Sequence, residues 1–126
     1  MIRLQGLGKC FGDYAAVEGL NLEVAPGEIF GFLGPNGAGK TTTLKMLSGL
    51  LRPSAGAVFI NGVDMAADPI AAKRSMGLVP DEPFVYPKLT GVEYLRFVGE
   101  LYGVPLTLSA KRVPELLEML FRIGFV

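Results

Sequence analysis

Apolar and polar residues alternate in two segments near the start of the chain. The alternation is brief in Ile2–Leu4 and clearer in Leu20–Val24, and it is typical of strands with one buried face. Two other runs, Ile29–Leu33 and Met76–Val79, are apolar almost throughout. Such runs predict strands that are buried on both faces.

Turn residues follow two of the predicted strands. Pro26-Gly27 predicts a turn that folds the second strand back against Glu28–Leu33. Asn61-Gly62 comes directly after the apolar segment Ala57–Ile60 and favours a type I′ hairpin. Val63 then begins the returning strand, so we expect antiparallel β structure on both sides of the chain's first helix.

The first helix is predicted over Thr41–Leu50. Leu44 and Leu47 recur at helical spacing, and Gly49 and Pro53 act as stop signals. The glycine and the proline both interrupt regular helical backbone, so we expect the helix to end near residue 50.

Three further helices are predicted in the second half of the chain. Asp68-Pro69 opens a short helix, and the T-x-x-E pattern of Thr90 and Glu93 is a capping box that begins a longer one, which Gly103 ends. The last helix carries an apolar stripe at i, i+3, i+4, i+7 and i+8: Val113, Leu116, Leu117, Leu120 and Phe121. Pro114 is best tolerated in a first turn, and we place it there.

A glycine-rich segment, residues 34–42, lies between the apolar run and the first helix. Its letters, GPNGAGKTT, fit the pattern G-x-x-x-x-G-K-[ST]. Glycines allow successive N–H groups to converge, and the helix that follows adds the positive end of its dipole, so phosphate oxygens fit here. Lys40 is expected to reach the β- and γ-phosphates, and the Thr41 hydroxyl to bind Mg²⁺. The alternative is a glycine-rich turn that merely precedes a helix.

Composition narrows the classes of protein that this chain can represent. It has 12 basic and 12 acidic residues, which argues against nucleic-acid binding. Cys10 is the single cysteine, so no internal disulfide forms, and the absence of histidine removes the commonest general base and metal ligand. Mean hydropathy is +0.41, but no apolar run reaches the ~20 residues of a spanning helix. We expect an intracellular protein, soluble or peripheral to a membrane.

With these motifs in place, the chain resembles the nucleotide-binding domain of ATP-binding cassette (ABC) transporters. Two blocks carry the resemblance, GKCFGDYAAVEGLNLEVAPGEIFGFLGPNGAGKTTTLKMLSGLLRPSAGAVFINGVD and MGLVPDEPFVYPKLTGVEYLRF. It implies an α/β fold, with a P-loop NTPase core and an antiparallel β subdomain. We interpret residues 1–126 as the N-terminal part of that domain, truncated before the signature and the Mg²⁺-binding strand. The P-loop is at 34–42, a Q-loop-like region at 77–88, and a helical subdomain from about 90.

The resemblance also implies roles for individual residues. Phe11 lies where the family places an aromatic that stacks on adenine, with Tyr14 as the nearby alternative; either ring can instead belong to the core. The nucleotide-binding set is then Phe11, Asn36, Gly37, Ala38, Gly39, Lys40, Thr41 and Thr42. Thr41 is the expected Mg²⁺ ligand.

The Q-loop position departs from the family. Where a glutamine normally stands, this chain has Asp81, which either acts as a second metal ligand or only keeps the shape of the loop. Leu78–Glu82 superficially resembles the family's Mg²⁺-binding strand, but Pro80 directly before the acid makes a poor strand end. No other catalytic residue is identified. Residues 83–86 are expected to receive a membrane subunit, or else to form a packed loop.

The implied function is that of an ATPase subunit of an ABC transporter. It binds ATP and Mg²⁺ and pairs with a second nucleotide-binding domain and a transmembrane permease, at the cytoplasmic face of the membrane. The 126-residue chain alone is expected to be inactive, because the signature and the catalytic glutamate are missing. Two alternatives remain open: a non-transport ABC ATPase of translation or DNA repair, and an inert nucleotide-binding fragment. A P-loop kinase is disfavoured, because more than thirty residues precede the P-loop.

Overall fold

The computed structural model describes residues 1–80 and 86–123. It divides into two compact units, one that ends at Leu78 and one that begins at Val79. None of the helices formed by the described residues is long and apolar enough to cross a bilayer.

The first unit is built on a four-stranded antiparallel sheet with the order β2-β1-β3-β4. The strands are β1 (Ile2–Phe11), β2 (Tyr14–Val24), β3 (Ala55–Ile60) and β4 (Val63–Asp64). The predicted segments at Ile2–Leu4, Leu20–Val24 and Ala57–Ile60 all lie within these strands. β1 and β2 form a long hairpin in which Phe11 is opposite Tyr14 at the turn end.

The hairpin predicted at Asn61-Gly62 is confirmed. Both residues have positive φ, 49° and 83°, as a type I′ turn requires. The turn joins β3 to β4, with Ile60 opposite Val63.

Two helices accompany the sheet, α1 (Lys40–Leu47) and α2 (Pro69–Arg74). α1 ends three residues before the predicted Leu50, because Gly49 takes a left-handed conformation with φ 69° and breaks the helix there. The predicted start of α2 is confirmed, since Asp68 caps it by accepting a hydrogen bond from the backbone N–H of Ala71. One buried cluster joins strands and helices: Leu4, Leu7, Met46, Val58, Ile60, Met65 and Ala72.

The two apolar runs predicted to be buried strands form no strand. Ile29, Leu33 and Val79 are 94–99% exposed, and neither run pairs with the four-stranded sheet. An apolar run becomes a strand only where a neighbouring strand accepts its backbone hydrogen bonds. The turn at Pro26-Gly27 does form, but β2 pairs with β1 and not with Glu28–Leu33.

The second unit contains α3 (Gly91–Leu101) and α4 (Leu106–Arg122), which pack against each other. The capping box at the start of α3 is confirmed. The position predicted for Pro114 is wrong: α4 begins at Leu106, so the proline lies in its interior. The ring removes the hydrogen bond that would reach the carbonyl of Ala110, and the structure tolerates this loss at two solvent-exposed residues.

Candidate functional site

The glycine-rich loop leads directly into α1. Gly39 is the N-cap residue in a left-handed conformation, φ 81° and ψ 5°. The first helical hydrogen bond runs from the N–H of Thr43 to the carbonyl of Gly39, at 2.8 Å. The N–H groups of Lys40, Thr41 and Thr42 therefore have no acceptor within the helix, and they provide donors for an anion at its positive end.

Lys40 folds back over its own loop. Its ammonium donates to the backbone carbonyls of Gly34, at 2.5 Å, and Pro35, at 2.6 Å. An ammonium has three donors, so one N–H bond remains for a phosphate oxygen. The two carbonyls hold the charge close to the helix N-terminus.

The loop is fixed against β2 at a β-bulge. Lys9 pairs with Val17 and Cys10 with Ala15, so Ala16 has no opposite residue, and such an extra residue redirects the local backbone. A Cβ on Gly39 would lie 2.4 Å from the carbonyl oxygen of Ala16. Glycine is therefore required at position 39 by close approach as well as by φ. Ala16 was not predicted as part of the site, because no pattern in the sequence marks it.

A cavity of about 280 Å³ joins the loop to the turn end of the β1–β2 hairpin. Its lining residues are Phe11, Tyr14, Ala16, Asn36, Gly37, Gly39, Lys40, Thr41 and Thr42. Phe11 and Tyr14 are 49% and 59% exposed, so both rings remain available to a ligand. The volume is slightly below the ~300–1,000 Å³ of typical small-molecule sites. A nucleotide held at its base and phosphates would therefore stay partly exposed to solvent.

Charge in this cavity suits an anion. Lys40 is the one charged side chain among the lining residues, and none of them is acidic. Within residues 1–80 and 86–123, no three His, Cys, Asp or Glu side chains cluster as a metal site would require. The exposed hydroxyl of Thr41 is a further polar group on the lining.

Not every predicted site residue reaches the cavity. Ala38 belongs to the loop, where its N–H donates to the carbonyl of Pro35 at 3.3 Å, but it does not line the cavity. Asp81 lies outside the described residues, as do Phe84 and Val85 of the predicted docking surface. Tyr86 is half exposed and contacts two rings of α3, those of Tyr94 and Phe97.

A larger cavity, about 460 Å³, lies elsewhere in the first unit. Most of its lining is apolar, and its two basic residues are Arg52 and Lys73. The Lys73 ammonium donates to the carbonyl of Gly49, at 3.3 Å. Pro69, the first residue of the six-residue helix α2, also lines it, but a proline has no N–H to donate. The 280 Å³ cavity therefore has the better chemistry for a phosphate ligand.

Comparison with known proteins places these features in a family. Residues 17–123 match the family model described as ABC transporter. The Nod factor export ATP-binding protein I of Cupriavidus metallidurans is 41% identical over 118 residues, which cover 94% of this chain and 39% of that protein. The chain therefore spans well under half the length of this relative.

Solved structures of ABC cassettes are also similar to this chain. An ATP-binding subunit of an ABC transporter has a TM-score of 0.85 and 33% identity, over 93% of this chain and 49% of that one. The dimeric post-hydrolysis cassette MJ0796, bound to ADP and Pi, has a TM-score of 0.79 and 25% identity, over 94% and 56%. The predicted P-loop NTPase fold class is confirmed by these structures, and the chain belongs to the ABC transporter family of ATP-binding proteins.

Proposed function

We propose that this chain binds Mg-ATP in the cavity between the glycine-rich loop and the β1–β2 hairpin. The observation that carries the proposal is that one cavity is lined both by groups that bind anions and by aromatic rings. The anion-binding groups are the unpaired N–H groups at the start of α1 and the ammonium of Lys40, and the rings are those of Phe11 and Tyr14. A nucleoside triphosphate has the matching pair of groups, an anionic chain and an aromatic base.

Each group has a separate task in this proposal. The N–H groups at the start of α1 and the ammonium of Lys40 bind the phosphates, and the Thr41 hydroxyl binds Mg²⁺. Phe11 stacks on the base, with Tyr14 as the alternative ring. Stacking contributes about 1–3 kcal/mol for each base and selects weakly among bases, because every base has a π-face. Asn36, Gly37 and Ala38 shape the loop around the phosphates.

Substitution of Lys40 tests the proposal. Lys40→Ala removes a charge-assisted contact worth about 1.5–3 kcal/mol, which corresponds to a loss of roughly 10- to 150-fold in ATP affinity. Lys45→Ala is the matched control, because Lys45 is an exposed lysine of the same helix outside the cavity. Calorimetric titration with Mg-ATP measures the ATP affinity of both variants and of the wild type. Equal affinities in wild type and Lys40→Ala would overturn the proposal.

We further propose that ATP binding energises transport by a membrane partner. Support comes from the relative named as an export ATP-binding protein and from the cassette solved as a dimer. In the second unit, Leu116 and Phe121 of the predicted apolar stripe of α4 are 43% and 61% exposed, and exposed apolar residues of this kind can receive a partner. The chain would then be the N-terminal part of a cassette that pairs with a second one, on the cytoplasmic face of the membrane.

Cell fractionation separates this proposal from its main alternative. A transport subunit is expected in the membrane fraction, together with a permease that co-purifies. An ABC ATPase of translation or DNA repair would instead be found in the soluble fraction without a permease, and that result would contradict the transport proposal.

Asp81 remains a proposed metal ligand. A carboxylate near the γ-phosphate would coordinate Mg²⁺ directly or through water, and the metal would offset its repulsion from the triphosphate. Asp81→Asn is then expected to weaken Mg²⁺ binding to the nucleotide complex, with metal-free ATP binding equal or slightly tighter. Identical Mg²⁺ affinities in a metal titration would end this proposal and leave Asp81 as a residue of loop structure.

A further inference from the structure

A lysine ammonium covers the ring of Phe11. The Nζ of Lys9 lies 5.3 Å from the ring centroid, within the ~6 Å range of a cation–π contact. Lys9 is not among the residues that line the 280 Å³ cavity, whereas Phe11 is. The ammonium therefore contacts a ring of the cavity without being part of the lining.

The position of this ammonium is fixed by the backbone around it. Lys9 Nζ donates to the carbonyl of Arg52 at 2.8 Å. The segment after Arg52 is itself attached to β1, because Ser54 donates its N–H to the carbonyl of Gly8, at 2.9 Å, and its hydroxyl accepts from the N–H of Cys10, at 3.1 Å. The cation is thus held over Phe11 by bonds that do not depend on a ligand.

We propose that Lys9 is a positioning residue: its ammonium covers one face of the Phe11 ring, so that the base of the nucleotide stacks on the other face. This inference rests on the proposed nucleotide function. The ammonium occupies one face of the ring, which leaves the face toward the cavity for the base. It also draws π-electron density toward itself, so the opposite face repels an electron-rich purine less.

The test compares two ligands, Mg-ATP and inorganic triphosphate with Mg²⁺, by calorimetry on the full chain. Lys9→Met keeps the length of the side chain but removes the charge. It is expected to weaken ATP binding about 2- to 5-fold, the size of an exposed cation–π contact, and to leave triphosphate binding unchanged. Lys9→Arg retains a cation over the ring and is expected to restore ATP affinity.

Two further variants separate this role from general charge or stability effects. Lys73→Met removes a lysine that also donates to a backbone carbonyl but does not contact Phe11, so it should change neither affinity. In a Phe11→Leu background, Lys9→Met should have no additional effect on ATP binding, because the ring on which the base stacks is already lost.

Three results would overturn the inference. One is an equal loss of ATP and triphosphate affinity in Lys9→Met, which would indicate simple electrostatics or misfolding. Another is a Lys9→Met effect that persists in the Phe11→Leu background. The third is unchanged ATP affinity in Lys9→Met. Failure of the wild-type chain to bind either ligand would instead contradict the nucleotide proposal itself, and this inference with it.

Discussion

Gly39 is the residue on which the geometry of the candidate site depends most. Its left-handed backbone begins α1, and its missing side chain lets the loop approach the bulged Ala16 carbonyl of β2. Gly37 also has positive φ, 85°, but a Cβ there would meet nothing within 4 Å. A side chain at Gly37 would therefore cause backbone strain alone, whereas a side chain at Gly39 would cause both backbone strain and a steric clash.

We predict that Gly39→Ala destabilises the chain more than Gly37→Ala does. The left-handed backbone costs a side chain about 1–2 kcal/mol at either position, but only at Gly39 would the new Cβ lie 2.4 Å from a carbonyl oxygen. Denaturant unfolding followed by circular dichroism compares the two free energies of unfolding. Equal values would mean that the loop does not pack against Ala16 as described.

At this scale the glycine-rich loop and the helix that follows it could be predicted from the sequence, because their pattern is local. Lys40, Thr41 and the glycines follow one another in the chain, and the same letters specify the loop and its donors. Ala16 could not be predicted, because its part in the site arises from a bulge and from a contact between residues far apart in sequence. The role proposed for Lys9 could not be predicted from the sequence either, because it depends on the distance between the Lys9 ammonium and the ring of Phe11.

Among the helices, α3 has the best-defined beginning. The carboxylate of Glu93 accepts from the N–H of Thr90 at 2.8 Å and from its hydroxyl at 2.7 Å, and the N–H of Glu93 donates to Thr90 Oγ1 at 3.3 Å. The backbone N–H, and then the hydroxyl, hold the pKa of Glu93 below its usual value of 4.5. Both bonds favour the ionised carboxyl.

This lowered pKa predicts how α3 responds to acid. Because the pKa is lower in the folded state than in the unfolded one, the cap contributes fully above pH 4.5 and loses its contribution as pH falls through the folded pKa. Glu93→Gln removes the titration but keeps a side-chain acceptor. Unfolding midpoints measured from pH 7 down to pH 3 should fall more in wild type than in Glu93→Gln. Parallel curves would contradict the prediction.

The turn and cap predicted best have local determinants, whereas two apolar runs were predicted wrongly because a strand depends on distant partners. The capping box at Thr90 and the turn at Asn61-Gly62 satisfy their own hydrogen bonds or backbone angles, so their sequence suffices. Ile29–Leu33 and Met76–Val79 have the apolar pattern of buried strands, but a strand also needs a partner, and the sheet does not provide one. The start of α4 was missed because Pro114 suggested a first turn.

At the scale of the whole molecule, we expect that the chain can bind ATP without hydrolysing it. Phosphoryl transfer needs positioned Mg²⁺, a residue that orients water and charge stabilisation of the transition state. Residues 1–80 and 86–123 provide the phosphate cradle and one candidate Mg²⁺ ligand, Thr41. We predict that the 126-residue chain binds Mg-ATP without turning it over. Steady-state phosphate release above that of Lys40→Ala would contradict this, and would direct attention to Asp81 and Glu82.

The central claim is that Mg-ATP occupies the 280 Å³ cavity between the glycine-rich loop and the β1–β2 hairpin. A titration of Mg-ATP into isotopically labelled chain, followed by NMR, tests it most directly. The account predicts saturable shifts at the amides of 36–42 and at the ring signals of Phe11 or Tyr14, with Lys73 and the rest of the 460 Å³ cavity unchanged. Shifts confined to the larger cavity, or no saturable shifts at all, would contradict it.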